Sequence, residues 1–138
     1  MMRRNRKGFT LVEIMIVVAI IALLAAIAIP NLLSAKRTAN TAAAKANIRA
    51  LSTAAEVYAT GHDGSYPVDV AAITPYISAA PAICEVAGGA QGYVYSCAVA
   101  PGAMGSGGYT FVATPITLGT TGDTTFTVIT GGVITQVP

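Results

Sequence analysis

Charge is what this chain of 138 residues has least of: only 10% of it is Asp, Glu, Lys or Arg, against roughly a quarter in soluble globular chains. Half of its eight basic residues (Arg3, Arg4, Arg6 and Lys7) precede Phe9. Behind them four basic residues face six acids, a side-chain charge of −2, which excludes a basic face for nucleic acid. There is a single histidine, His62, beside Asp63 and three residues before Ser65. A Ser–His–Asp triad draws its members from separate elements that converge in space, so this trio reads as turn residues. Asp63 and Asp69 flank "GSYPV", but two carboxylates are too few for a calcium loop. The stretches "GGAQG" and "PGAMGSGG" match no phosphate-binding fingerprint and lack the strand–loop–helix context such a loop needs. Internal repeats and Asn-x-Ser/Thr acceptors are absent as well. The expectation is a protein that is not an enzyme and carries no cofactor and no metal.

Hydrophobic residues, in contrast, make up 54% of the chain. Ile14–Ala35 carries no charge and Ile14–Ile29 is wholly apolar. Those 22 uncharged residues span about 33 Å as a helix, enough to cross a hydrocarbon core of about 30 Å. The basic cluster lies on the N-terminal side, so the positive-inside rule keeps that end in the cytoplasm and exports the rest. One acid, Glu13, stands at the start of the apolar run. Inside a membrane it would cost about 2–3 kcal/mol unless paired or held near the interface. Three readings are open: a secretory signal cut near "AIA" (Ala26–Ala28), a plain membrane anchor, or a leader cut after Gly8. Cys84 and Cys97 fall in the exported part. A disulfide between them, worth about 3 kcal/mol, is the expected state; the alternative is two buried thiols.

Beyond Pro30 the pattern stays helical. Ala44, Ile48, Leu51, Ala55 and Tyr58 recur at spacings of 4, 3, 4 and 3, which places them on one face. Asn40, Asn47 and Ser52 are expected on the opposite face, Gly61 as the C-cap, and "GHDG" as the following turn. A single helix from about Thr10 to Thr60 is predicted, with a kink near Pro30. "SYPVDVAAITPYISAAPAI" reads as loop with one short helix. "GYVYSCAV", "GYTFVATPIT" and "TTFTVITGGVITQV" read as antiparallel strands, with "LGTTGD" as the hairpin loop between the last two. The fold class is α+β: a long N-terminal helix whose C-terminal half packs on a small antiparallel sheet. The organisation is a leader over 1–8, an apolar helix over 9–35, an amphipathic helix over 36–61 and a β domain over 62–138. Of nine aromatics only Phe9 and Tyr58 fall in the helix. A continuous aromatic stack through it is therefore not expected; the other aromatics fill the sheet domain.

The run "RKGFTLVEIMIVVAII" resembles the processing site of type IV prepilins and of the related pseudopilins of type II secretion. The resemblance implies that a prepilin peptidase cuts after Gly8 and methylates Phe9, the new N-terminal residue. It also implies that Glu13 guides subunit addition by neutralising the Phe9 amine of a neighbour. Partners so implied are further copies of the chain, the peptidase, the inner-membrane pilus assembly machinery, and the membrane before assembly. The implied location is the inner membrane for the subunit pool and the cell surface for the filament. Many members have a glycine in the apolar run where this chain has Ala22. Major pseudopilins typically lack a disulfide and carry a late acidic calcium loop. This chain has the Cys84 and Cys97 pair and only Asp123 late. "YTFVATPITLGTTGDTTFTV" is similar instead to the terminal strands of type IVa pilins, so a major pilin of an extracellular filament is expected. The alternatives are a pseudopilin in a short periplasmic pseudopilus and a soluble exported binding domain released near Ala28.

Overall fold

A computed structural model describes residues 8–78, 80–84, 88–97 and 108–138. Helix α1 runs without interruption over Leu11–Gly61, with Pro30 inside it. Two short helices follow, α2 (Val70–Ile73) and α3 (Ala80–Cys84). Strands β1 (Tyr93–Ser96), β2 (Thr110–Pro115), β3 (Thr125–Ile129) and β4 (Val133–Val137) form one antiparallel sheet in the order β1-β2-β3-β4. The chain divides into two compact units between Ala35 and Lys36.

Within the second unit, Lys36–Pro138, the core is built by two periodicities that meet. Along α1 the residues Ala44, Ile48, Leu51 and Ala55 are fully buried. Along the strands, burial alternates: Tyr93 and Tyr95 on β1, Phe111 and Ala113 on β2, and Phe126 and Val128 on β3 point inward. The register brings these together, with Phe111 opposite Val128 and Ala113 opposite Phe126. The helix thus packs on the sheet through the predicted face, while Tyr58 lies only half-buried and stacks on His62, centroids 3.8 Å apart.

Four expectations need correction. Asn40, Asn47 and Ser52 do not form the far side of the helix. At roughly 100° per residue they fall within about 70° of the centre of the buried stripe. Their side chains therefore reach the sheet unit: Asn40 Nδ2 donates to the Thr121 carbonyl (3.1 Å), and Asn47 Nδ2 to the Tyr95 hydroxyl (3.0 Å). Ser52, 4% exposed, meets the Tyr109 hydroxyl at 2.6 Å. Gly61 does not supply the left-handed cap; it is the last residue of α1, and the positive φ angles fall at Asp63 (53°) and Gly64 (81°). The Gly64 amide closes the helix by donating to the Ala59 carbonyl at 2.9 Å. The last predicted strand is two strands. Gly131 and Gly132, at φ 85° and 74°, turn the chain back so that Ile129 faces Val133. Finally, two short helices rather than one occupy the segment after Ser65, the first capped by the Asp69 carboxylate, which accepts from the Ala72 amide at 2.8 Å.

Cys84, at the end of α3, is disulfide-bonded to Cys97, directly after β1, with Cα atoms 5.7 Å apart. The bond fastens α3 to the sheet's first strand.

Candidate functional site

The first candidate is the N-terminal segment, where α1 begins. Thr10 precedes the first helical residue and Glu13 sits three residues on, the spacing at which two side chains satisfy each other's orphan amides. The Thr10 amide and hydroxyl both donate to Glu13 Oε2, at 2.8 and 2.7 Å, and the Glu13 amide donates to Thr10 Oγ1 at 3.2 Å. Within one chain, then, Glu13 is a capping residue. The pattern Thr-x-x-Glu was readable in "TLVE" as a helix start, and the sequence reading passed over it. The structure does not bring Glu13 to Phe9's nitrogen, which here is still in peptide linkage to Gly8.

Past the cap, the apolar side chains of the helix lie open among the described residues. Every large apolar side chain from Phe9 to Leu33 is between 51% and 85% exposed. Fully burying a Val, Leu or Ile is worth about 1.5–3 kcal/mol, so such a surface is stable only against lipid or against other apolar helices. The helix is long and apolar enough to cross a membrane. Pro30 lies in this exposed stretch, and lacking an N–H it leaves the Ala26 carbonyl without its intrahelical donor. Next to it, Asn31 Nδ2 donates to the Ile27 carbonyl at 3.1 Å.

In the second unit, polar side chains fasten α1 to the loops of the sheet. Arg37 donates to the Gly119 carbonyl (3.0 Å) and pairs with Asp123 (3.0 Å), holding the β2–β3 loop. Further along, Glu56 accepts from the Gly131 amide (2.7 Å), the Tyr109 hydroxyl (2.9 Å) and the Tyr66 hydroxyl (3.1 Å). Burial pushes the Glu56 carboxyl up, but these three donors outweigh it and hold it below the ordinary carboxylate value. Burial pushes the Tyr109 phenol up to about 12, with a smaller contribution from the adjacent Glu56 carboxylate. This hub was illegible in the sequence, its partners lying 10, 53 and 75 positions from Glu56. It ties three loops to one helix, which fastens the sheet's turns to α1. Among the described residues no group of three His, Cys, Asp or Glu side chains gathers as a metal site would require. His62 Nδ1 lies 2.9 Å from the Tyr58 carbonyl, and neither Ser65 nor Asp63 engages it.

Residues 3–29 match the prokaryotic N-terminal methylation motif. Over 37 residues the chain is 65% identical to a type IV wide pilus major component of Thermus thermophilus, covering 27% of this chain and 28% of that one. It is 43% identical over 58 residues to a type II secretion system core protein G of Pseudomonas aeruginosa (42% and 41% of the two chains). It is 47% identical over 60 residues to a type IV major pilin of Myxococcus xanthus (44% and 27%). The matches thus span between about a quarter and two fifths of these relatives' lengths. No solved structure matches significantly. In its N-terminal part the chain is thus type-IV-pilin-like, similar to type IV pilus subunits and to type II secretion core protein G.

Proposed function

We propose that the chain is the major subunit of an extracellular type IV pilus. The observation that carries this reading is the uncovered apolar segment from Phe9 to Leu33, joined in sequence to a unit with its own closed core. In the membrane, lipid covers the helix; in a filament, the same helices from other copies do. A prepilin peptidase removes residues 1–8 and methylates Phe9, leaving an α-amine that is positive at neutral pH, its reference pKa lying near 8. That amine is the natural partner for Glu13 of an adjacent copy. In the free subunit the Glu13 carboxylate is already held by the Thr10 amide and hydroxyl, so it enters the bilayer satisfied rather than bare. The intermolecular pair then sets axial register, since each unpaired charge in the apolar core is costly. Pro30 weakens the helix locally by removing one backbone bond, and a kink or loosened turn there would let helices bend around one another.

The similarity to core protein G, which covers near-equal shares of both chains, favours a second reading, a pseudopilin in a short periplasmic fibre. Electron microscopy of the sheared cell-surface fraction separates the two. Long surface filaments containing this chain, abolished by Glu13→Ala without loss of the processed subunit, are expected for the pilus. Processed chain confined to the membrane fraction, with no surface filament, points to the pseudopilin.

A further inference from the structure

Charge within Lys36–Pro138 is segregated along the chain. Its four basic residues, Lys36, Arg37, Lys45 and Arg49, all lie in α1, and its five acids, Glu56, Asp63, Asp69, Glu85 and Asp123, come after them. Arg37 is taken by Asp123, Glu56 by the three-donor hub, and Asp69 by its helix cap. Lys45 and Arg49 remain, one turn apart on the same side of the helix, with no acidic partner among the described residues. Like charges at that spacing repel by a few tenths of a kcal/mol, a cost an incoming carboxylate would remove. Lys45 is half-buried and lines a groove of about 330 Å³ with Thr41, Asp123, Thr124 and Gln136. Asp63, meanwhile, stands exposed in the turn after α1, and no described donor meets its carboxylate.

We infer that the Lys45–Arg49 ridge of one copy receives Asp63 of another copy, a head-to-tail contact between sheet units that rests on the filament reading above. Within a single chain Lys45 and the turn after Gly61 are separated by about 25 Å of helix, at 1.5 Å per residue, so the two cannot meet intramolecularly. Copies drawn from one membrane share one direction, which rules out the antiparallel dimer that would close the same charges on each other. Parallel copies bring Asp63 to Lys45 only when displaced by about that same 25 Å. The Glu13–Phe9 pair needs an offset of only four residues, about 6 Å. The two contacts therefore belong to different neighbours, as a helical lattice in which each copy meets several others provides.

A zero-length cross-link tests this directly. Filaments sheared from cells are treated with a water-soluble carbodiimide, which condenses the Lys45 amine and the Asp63 carboxylate into an amide with loss of one water. Peptide mass spectrometry of the cross-linked dimer band is expected to show residues 45 and 63 joined, and no such link when the filaments are dissociated in detergent before the carbodiimide is added. Intact filaments that yield other intersubunit links but never this one overturn the contact. A link that forms equally in subunits dissociated before treatment overturns it too, in favour of a closed dimer. Recovery of no wild-type filaments would instead overturn the filament reading itself. As a second measure, Asp63→Asn and the Lys45→Gln/Arg49→Gln double substitution should each lower filament yield by about two- to fivefold, the range for an exposed pair. All three together should be no worse than either alone, because they remove one interaction. Losses that multiply would refute the pairing.

Discussion

Replacing Tyr109 by Phe removes one oxygen that serves two partners. The Tyr109 hydroxyl lies 2.6 Å from Ser52 Oγ and 2.9 Å from the Glu56 carboxylate. Glu56 keeps its other two donors, the Gly131 amide and Tyr66, so its loss is partial. Ser52 is in a harder position: 4% exposed, it loses its hydroxyl partner, and a buried polar group so stranded costs about 1–3 kcal/mol. Rotation of Ser52 onto its own helix's carbonyls recovers part of that. The expected destabilisation is therefore about 2 kcal/mol, or roughly 8–16 °C in Tm for a domain of about a hundred residues. Tyr66→Phe is the internal control, because its hydroxyl has one partner at 3.1 Å at a half-exposed position, and about 0.5 kcal/mol is expected. The assay is urea unfolding of the full chain in detergent, followed by near-ultraviolet circular dichroism. Equal effects for the two substitutions, or less than about 0.5 kcal/mol for Tyr109→Phe, would refute the hub as the fastening of the β3–β4 turn.

The same hub sets a pH window. Glu56 has a lowered carboxyl, so its stabilisation is present above the unfolded value near 4.5 and is lost as pH falls through the lower folded value. Tyr109 is raised, so its contribution is intact below pH 10 and is lost between 10 and about 12; a flat stability profile from pH 5 to 9, falling on both sides, is expected in urea titrations. Reducing the Cys84–Cys97 bond, or replacing both residues by Ser, should cost about 3 kcal/mol, read as a lower urea midpoint that reductant no longer shifts in the double variant. Gly108→Ala should be destabilising by about 2 kcal/mol or more, since a Cβ there meets the Thr130 side chain and the residue sits at φ 132°. Thr10→Val removes the hydroxyl of the N-terminal cap, costs about 1 kcal/mol of helix stability and should increase fraying at residues 11–14 in amide exchange, whereas Thr10→Ser should not.

Local patterns carried much of this architecture. The spacing of Ala44, Ile48, Leu51 and Ala55 was enough to place the helix face, and the alternation present in Phe111–Ala113 and Phe126–Val128 coincides with the sheet's inner surface, because both are periodicities of the backbone itself. The errors arose where one residue type serves two ends. Asn40, Asn47 and Ser52 look like solvent-facing polar groups until the sheet loops that accept their hydrogen bonds are in view. Gly61 and Gly64 are equally good helix terminators by composition, and only the backbone angles assign the left-handed turn to Asp63–Gly64. "TGG" between two β-branched runs was a legible turn signal that went unread. The Glu13 carboxylate is the instructive case. Its spacing from Thr10 declares a helix cap; the intermolecular role proposed for it rests on the resemblance to prepilins, and the two are compatible because a neighbour's amine can take the place of the cap.

The filament proposal depends on where the functional chain begins. Intact mass and N-terminal fragmentation of the protein from the sheared surface-filament fraction of its own cells should give a chain starting at methylated Phe9. It should be two hydrogens lighter than the reduced form, for the Cys84–Cys97 bond. A chain starting near Ile29 would contradict the filament proposal, since the exposed apolar helix that is to form its core would be gone.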